Sequence, residues 1–206
     1  MRSMINAGTP QGRLRRALTI GDPQIALTAA ADCKYVVLDD ALGAGPSPAS
    51  RTLGREGGDP SKADVIVVAV PGDAIAEALA NVRGIAGTTT IDATNSLSGP
   101  NDGFESLAAE VKSIIGGPTA KSFNTNFANI YGQIAAQPEP PSNVFAADPD
   151  AREATEELIR DAGYEPVYAG GLETARVLED HTAYTMMLPR SEIGPHCYRL
   201  IAPNRS

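Results

Sequence analysis

The chain has 206 residues, a formal net charge of −8 at pH 7 and a hydrophobic content of 42%. This length suits one large α/β domain, and the negative charge argues against nucleic acid or an anionic membrane as a partner. No apolar run approaches the roughly 18 residues of a membrane helix. The two cysteines, Cys33 and Cys197, suit a reducing cytosol and form no metal-ligand cluster. We therefore expect a cytoplasmic protein that binds small molecules and no metal.

The first segment resembles a nucleotide-binding turn only in outline. Residues 4–8 are predicted to end a first strand, residues 8–12 to form a phosphate-facing turn, and residues 13–18 to start a helix. A G-x-G-x-x-G fingerprint would place glycine where Asn6 stands, and Pro10 lacks an N–H that could face phosphate. An ordinary turn is the alternative. The candidate cofactor-binding residues of this turn are Gly8, Thr9 and Gly12.

A second strand is predicted over residues 34–38, and it ends in Asp39 and Asp40. An acidic residue at this place commonly bonds the ribose hydroxyls of NAD. Asp39 lies 31 residues beyond Gly8, however, whereas the fingerprint expects about 20. A solvated pair of loop carboxylates is therefore the competing interpretation. Residues 43–60 are rich in glycine and proline and are predicted to form a long loop.

The clearest element is the continuous apolar run at residues 65–70. Because polar and apolar residues do not alternate, both faces of this strand should be buried, as in a parallel sheet covered by helices. Pro71 and Gly72 end the strand, and Asp73 is predicted to cap a helix over residues 74–82. Ligands bind beyond the carboxyl ends of such strands, so Val70 and Pro71 are candidate cofactor-binding residues.

The next strand, over residues 88–91, repeats this plan. It is followed by Asp92 and then by three further candidate cofactor-binding residues, Ala93, Thr94 and Asn95. Asp92 could take part in proton transfer, or it could accept hydrogen bonds from backbone N–H groups of a neighbouring turn. The second interpretation is favoured.

Alternating helices and strands continue to residue 188. Predicted strands cover residues 120–124, 143–147 and 165–168, and predicted helices cover 104–114, 149–162 and 172–188. Asp148 is expected to cap the helix that Pro149 begins, and Gly163 to end it. The fold class is therefore α/β, a Rossmann-like, doubly wound, mostly parallel sheet with an irregular first βαβ unit. One domain spans residues 1–188, of which 1–62 are atypical, and a tail spans 189–206.

Four segments in this order carry a family resemblance. They are Ala-Asp-Val-Ile-Val-Val-Ala-Val-Pro at 63–71, Ile-Asp-Ala-Thr-Asn at 91–95, Lys-Ser-Phe-Asn-Thr at 121–125 and Gly-Leu-Glu-Thr-Ala-Arg-Val-Leu-Glu at 171–179. The chain from residue 63 to about 188 resembles the coenzyme F420-dependent NADP oxidoreductases, which are small Rossmann proteins. The resemblance implies hydride exchange between NADP(H) and a deazaflavin such as F420.

The resemblance also implies roles for individual residues. Val70 and Pro71 would lie along the nucleotide, and Ala93, Thr94 and Asn95 would lie near its nicotinamide end. Asn124, with Asn126, would border the substrate. No catalytic side chain is implied, because hydride transfer between two cofactors needs only correctly stacked rings. The first 62 residues lack the family's glycine-rich turn and its 2′-phosphate-binding pair, which leaves NADP binding to be tested.

Two further readings stay open at this point. A non-catalytic or degenerate dinucleotide-binding Rossmann protein would explain the altered turn between Asn6 and Gly12. An imine or pyrroline reductase would share the fold, but such enzymes carry an additional helical dimerisation domain. The cofactor prediction follows the family, NADP, while Asp39 and Asp40 favour NAD. Helix 172–188 is a candidate face for a homodimer.

Overall fold

A computed structural model describes residues 17–21, 63–80, 82–188 and 193–202. Several predictions fall outside these residues. They are the strands at 4–8 and 34–38, the turn at 8–12 with Gly8, Thr9 and Gly12, the acidic pair Asp39 and Asp40, and the loop at 43–60. In the part of the chain that is described, no helix is both long enough and apolar enough to cross a membrane.

Within the described residues, six strands form one sheet in the order of the chain. Strands β1 to β4 are mutually parallel, β5 is antiparallel to β4, and β6 is parallel to β5. The mostly parallel, helix-covered sheet confirms the predicted fold class. The strands are β1 Ala17–Gly21, β2 Val65–Ala69, β3 Thr89–Asp92, β4 Thr119–Lys121, β5 Ser142–Ala147 and β6 Glu165–Gly170.

Both faces of β2 are buried, as its continuous apolar run predicted. Val65 and Val67 enter one core together with Leu158 of the helix that follows β5. Ile66 and Val68 enter a second core on the opposite face. Successive side chains of a strand point to opposite faces. A strand that lies between two cores therefore has apolar residues on both faces, and its sequence shows no alternation of polar and apolar residues.

Four α-helices and three 3-10 segments cover the sheet within the described ranges. The α-helices are α1 Ile75–Ala80, α2 Leu107–Ile115, α3 Pro149–Asp161 and α4 Ala175–Met187. The 3-10 segments are Gly72–Ala74, Ala128–Ala136 and Leu172–Thr174. Pro149 begins α3 as predicted, and Gly163, with φ of 87°, follows its end.

The predicted helix over residues 13–18 is wrong at its described end. Ala17 and Leu18 belong to β1, which pairs with β2 in the register Ala17 with Val65 and Gly21 with Ala69. Pairing with an already buried neighbouring strand outweighs the weak local preference of a five-residue segment. Strand β2 therefore has a parallel partner on each side, β1 and β3.

Of the two predicted helix caps, Asp73 is wrong in its position, and Asp148 is right in its position but wrong in its bond. Asp73 lies inside the 3-10 turn that begins at Gly72, and Pro71 occupies the N-cap position. Asp148 is the N-cap residue of α3, as predicted, but its carboxylate makes no capping hydrogen bond there. It accepts instead from the amide nitrogen of Thr119 at 2.9 Å and from Lys112 Nζ at 2.8 Å. A strand amide that would otherwise lack a partner competes successfully for the same oxygen.

The helix predicted over residues 104–114 begins later than expected. Ser106 is the N-cap of α2, and its hydroxyl oxygen accepts from the amide nitrogen of Ala109 at 3.0 Å. Phe104 therefore lies before the helix, and Ile114 is 40% exposed rather than part of the buried face. The serine side chain satisfies a helix amide that Phe104 could not satisfy.

Candidate functional site

The carboxyl ends of the parallel strands bring most of the described candidate residues together. Val70 and Pro71 follow β2, and Ala93, Thr94 and Asn95 follow β3. Pro71 and Asn95 form an isolated parallel bridge, and the amide nitrogen of Gly72 donates to the Asn95 carbonyl oxygen at 3.1 Å. Two loops that are more than 20 residues apart in the sequence thus meet at one edge, which we call the carboxyl edge.

Gly72 is required for this approach of the two loops. A β-carbon at residue 72 would lie 2.9 Å from the carbonyl oxygen of Asn95 and 2.9 Å from Cβ of Ser96. It would also lie 3.0 Å from a methyl carbon of Leu107. Any side chain here would push the loops apart, so the glycine after Pro71 is a packing requirement as well as a strand end.

A hydrogen-bond network joins the loop after β3 to the loop after β4. Asn95 Nδ2 donates to the carbonyl oxygen of Asn124 at 2.8 Å, and Asn124 Nδ2 donates to Asn95 Oδ1 at 3.2 Å. Asn124 Nδ2 also donates to the carbonyl oxygen of Leu178 at 2.9 Å. Thr182 completes the network, since its hydroxyl donates to Asn95 Oδ1 at 2.7 Å. Helix α4 is therefore bonded directly to both loops.

A buried cluster of charges lies beneath the same loops. Lys121 is fully buried at the end of β4, where Asp92 is its cross-strand neighbour. Lys121 Nζ lies 2.8 Å from Asp92 Oδ2, 2.6 Å from the carbonyl oxygen of Thr94 and 3.2 Å from Glu179 Oε1. Glu179 comes from α4 and is 5% exposed. We call Asp92, Thr94, Lys121 and Glu179 the Lys121 cluster.

The Lys121 cluster also reaches the start of α2. Glu179 Oε1 accepts from the amide nitrogens of Leu107 at 3.0 Å and Ala108 at 3.4 Å. A carboxylate is favoured beside the free N–H groups that open a helix. Asp92 Oδ1 accepts from the amide nitrogen of Thr94 at 2.8 Å, which confirms the turn-bonding interpretation of Asp92.

The loop after β4 has an unusual backbone. Phe123 has φ of 60°, the only non-glycine residue with positive φ among those described. The hydroxyl of Tyr131 donates to the carbonyl oxygen of Phe123 at 2.9 Å, and the amide nitrogen of Phe123 donates to Asn143 Oδ1 at 3.3 Å. Such a conformation persists only where the surroundings hold it. This turn places Asn124 against Asn95.

The C-terminal segment packs against the far side of that loop. The hydroxyls of Thr125 and Tyr198 lie 2.6 Å apart, and the amide nitrogen of Ser142 donates to the carbonyl oxygen of Tyr198 at 2.8 Å. The ring of His181 contacts that of Tyr198 with a centroid separation of 5.9 Å. Burial lowers the pKa of His181, so its imidazole is neutral at pH 7. Aromatic rings therefore border the edge beside residues 124–126.

The candidate residues differ in their accessibility. Pro71 is exposed and Asn95 is half-buried, so both present atoms to solvent at the carboxyl edge. Val70, Ala93 and Thr94 are buried behind them. Gly8, Thr9 and Gly12 lie outside the described residues, and their role remains a prediction.

The two candidate substrate-binding residues face inward. Asn124 is 3% exposed, and Asn126 is 9% exposed with its Nδ2 atom 3.4 Å from the carbonyl oxygen of Ser142. Their side-chain amide nitrogens bond other segments of the protein, since Asn124 donates to Asn95 and Leu178, and Asn126 donates to Ser142. Contact of either side chain with a substrate remains a prediction.

Sequence reasoning missed Lys121 and Glu179, two buried charged residues of the edge. A signal was available for Lys121: an acidic residue ends one buried strand, and a lysine ends the next, which predicts a cross-strand pair. No comparable signal marks Glu179, because its partners lie 58 and more residues away. In the described ranges no group of three His, Cys, Asp or Glu could hold a metal ion.

Comparison with known proteins identifies the fold. No family profile matches the sequence, and no curated protein matches it. A presumed F420-dependent NADP-reductase from Arthrobacter sp. FB24 superposes with a TM-score of 0.71 at 18% identity, covering 93% of this chain and 100% of that chain. A hypothetical protein from Sinorhizobium meliloti has a TM-score of 0.56 at 20% identity, covering 91% and 94%.

A third structure differs from these in length. Imine reductase from Pseudomonas sp. superposes with a TM-score of 0.61 at 14% identity, over 86% of this chain but 63% of its own. The chain therefore shares its fold with these three proteins. At these identities, the similarity establishes the fold alone.

Proposed function

We propose that this protein is an NADP-dependent oxidoreductase that transfers a hydride between NADP(H) and a deazaflavin of the F420 type, or a similar acceptor. One observation carries the proposal: three loops meet at the carboxyl edge of a parallel Rossmann sheet, in the place where this architecture binds nucleotides. The structural similarity to the Arthrobacter protein over its full length supports the same choice of cofactor and acceptor.

The chemistry of the edge fits a nicotinamide dinucleotide. The residues that present atoms there are small or uncharged, Pro71 and Asn95, which suits the neutral or cationic nicotinamide ring. Thr94 Oγ1 and Asn124 Oδ1 are buried oxygens that lack a hydrogen-bond partner among the described residues. A carboxamide offers N–H donors of the kind that such oxygens accept. The phosphate-binding turn predicted at residues 8–12 lies outside the described residues.

The chain's own contribution is to bind and orient. A bound nicotinamide supplies the hydride, and reaction requires the two reacting carbons to lie about 3–3.5 Å apart. Gly72 lets the loop at Pro71 approach Asn95, and Asn124 and Thr182 hold Asn95 in place. The rings of His181 and Tyr198 contact each other beside the loop of residues 124–126, and they offer aromatic surface to a planar acceptor.

A side-by-side fluorescence titration with NADPH and NADH tests the cofactor. We expect micromolar binding of NADPH, and oxidation of NADPH, followed by absorbance, only after F420 or another acceptor is added. Tighter binding of NADH would favour the reading that Asp39 and Asp40 select NAD. No binding of either cofactor at millimolar concentration would overturn the proposal.

A pair of proline variants tests the location of the site. Pro71→Asp adds a negative charge at the carboxyl edge and should weaken NADPH binding by about tenfold or more. Pro149→Asp is the matched control, because exposed Pro149 follows the antiparallel strand β5 and so lies at the opposite edge of the sheet. Equal weakening by both variants would place the cofactor elsewhere.

The alternative is a dinucleotide-binding protein that performs no chemistry. The altered residues Asn6 and Pro10 in the predicted phosphate turn favour it, as does the internal use of both Asn124 and Asn126. Binding of NADPH without turnover in the presence of F420, a flavin or an imine would support this alternative. Turnover with any of them would exclude it.

A further inference from the structure

Lys121 has no hydrogen-bond donor left for a ligand. An ammonium group has three N–H donors. The Nζ atom of Lys121 has three acceptors within reach, which are Asp92 Oδ2 at 2.8 Å, the Thr94 carbonyl oxygen at 2.6 Å and Glu179 Oε1 at 3.2 Å. Its side chain is also fully buried. Whatever Lys121 contributes to function, it contributes through these partners.

Among these partners, Thr94 belongs to the loop at 93–95, and both of its backbone polar groups are fixed by charged side chains. Its amide nitrogen donates to Asp92 Oδ1 at 2.8 Å, and its carbonyl oxygen accepts from Lys121. Bonds between a charged and a neutral group are about twice as strong as bonds between neutral groups. The loop at 93–95 therefore cannot rotate about Thr94 without breaking both of these charge-assisted hydrogen bonds.

The same cluster fixes the loop relative to two helices. Glu179 of α4 shares the ammonium group of Lys121 and accepts from the first amide nitrogens of α2. One turn further along α4, Thr182 donates to Asn95. The loop, α2 and α4 are thus joined through a single buried cation.

We propose that Lys121 is a positioning residue that fixes the loop of residues 93–95 against the nicotinamide end of the cofactor. The proposal rests on the proposed function, because it assigns that loop to the nicotinamide. In this fold the phosphates of a dinucleotide bind at a separate turn, after the first strand. Loss of Lys121 should therefore disturb ring alignment, and hence kcat, more than it disturbs NADPH binding.

The test compares Lys121→Met with Lys112→Met, which removes a half-exposed lysine paired with Asp148, the residue that follows the antiparallel strand β5. Hydrogen–deuterium exchange at the Thr94 amide, the Kd for NADPH and kcat are measured for both. In Lys121→Met we expect exchange to be faster by about tenfold or more. We expect kcat to fall by about tenfold or more, with Kd rising by less than about threefold. Lys112→Met should resemble the wild type in all three.

A second variant covers the case in which Lys121→Met does not fold. Asp92→Asn combined with Lys121→Met removes opposite charges together, which buried ion pairs often tolerate. Asparagine keeps the Oδ1 acceptor for Thr94, so this double variant loses the ammonium contact while keeping the turn. For the double variant we expect the same directions of change as for Lys121→Met, which are faster exchange at the Thr94 amide, a lower kcat and a smaller rise in Kd.

The outcomes separate the two proposals. Wild-type exchange at Thr94 in the folded variants would overturn the role of Lys121 in holding the loop. An unchanged kcat, or a Kd that rises as much as kcat falls, would overturn its role in aligning the ring. Absence of NADPH binding by the wild type would instead overturn the proposed function, and with it the link from this loop to the nicotinamide.

Discussion

The amide nitrogen of Gly72 lies 3.1 Å from the carbonyl oxygen of Asn95, and this hydrogen bond joins the loop after β2 to the loop after β3. The two residues are brought together by parallel pairing of β2 and β3, in which Val68 is the partner of Asp92. The contact leaves no volume for a side chain at residue 72.

Substitution of Gly72 by alanine should destabilise the protein by about 1–3 kcal/mol, because the new methyl group would collide with Asn95, Ser96 and Leu107. Urea denaturation measures the free energy of unfolding. Gly132→Ala is the control, since a β-carbon there would meet no atom within 4 Å. Equal stability of the two variants would show that the loops can separate without cost.

Substitution of Asn95 by aspartate should cost about 1–3 kcal/mol of stability, because a carboxylate cannot donate to the carbonyl oxygen of Asn124 and would face it as a second acceptor. Thermal unfolding at pH 7 measures the loss. Ser98→Asp adds the same charge to an exposed residue nearby, whose amide nitrogen donates to Ser96 Oγ. A similar loss in both variants would attribute the effect to charge rather than to the missing donor.

Substitution of Tyr164 by phenylalanine should change the stability of the protein at alkaline pH. Burial holds the pKa of the Tyr164 phenol well above its ordinary value, and its hydroxyl has no partner among the described residues. The native state therefore keeps a proton that the unfolded chain releases above about pH 10. The stability from this group is complete below that pH and is lost as the pH rises further, by about 1.4 kcal/mol per unit.

The measurement is the free energy of unfolding between pH 9 and pH 11, the window around the ordinary phenol pKa of about 10. Tyr164→Phe should show a shallower decline with pH than the wild type does. Some decline of stability with pH should remain in Tyr164→Phe, because burial also raises the pKa of the Tyr198 phenol. Tyr184→Phe, which alters an exposed ring, should leave the slope unchanged. Identical slopes for wild type and Tyr164→Phe would contradict the assignment.

Substitution of Asp148 by alanine should destabilise the protein by about 1–3 kcal/mol, because the amide nitrogen of Thr119 would lose its side-chain acceptor. Lys112→Met removes the other partner of the same carboxylate and should cost less than about 1 kcal/mol, since that lysine is 46% exposed. Chemical denaturation of both variants gives the comparison. If Lys112→Met were as costly as Asp148→Ala, the ion pair would be the important contact.

The elements that the sequence predicted well are those with local causes. The apolar run of β2 and the β-branched residues of β3 indicated strands because no other element buries both faces of so short a segment. Pro149 and Gly163 marked the ends of α3 because each restricts or permits backbone angles on its own. The meeting of Pro71 with Asn95 followed from these strands, because parallel strands end at the same edge.

The elements that the sequence predicted poorly depend on partners that are distant along the chain. Ala17–Gly21 is a strand because β2 lies beside it, and five residues contain too little pattern to show this. Asp148 looked like a helix cap but bonds Thr119, which is 29 residues away. Phe123 adopts a positive φ only because Tyr131 and Asn143 hold its backbone.

The sequence by itself determined the fold class, the sheet edge that forms the candidate site and five of the six strands, because hydrophobic periodicity and backbone restrictions are properties of short segments. The tertiary structure alone decided how that edge is held. Lys121 can remain buried and charged only where Asp92, Glu179 and the carbonyl oxygen of Thr94 converge on it, and that convergence requires two strands and a helix to be packed together.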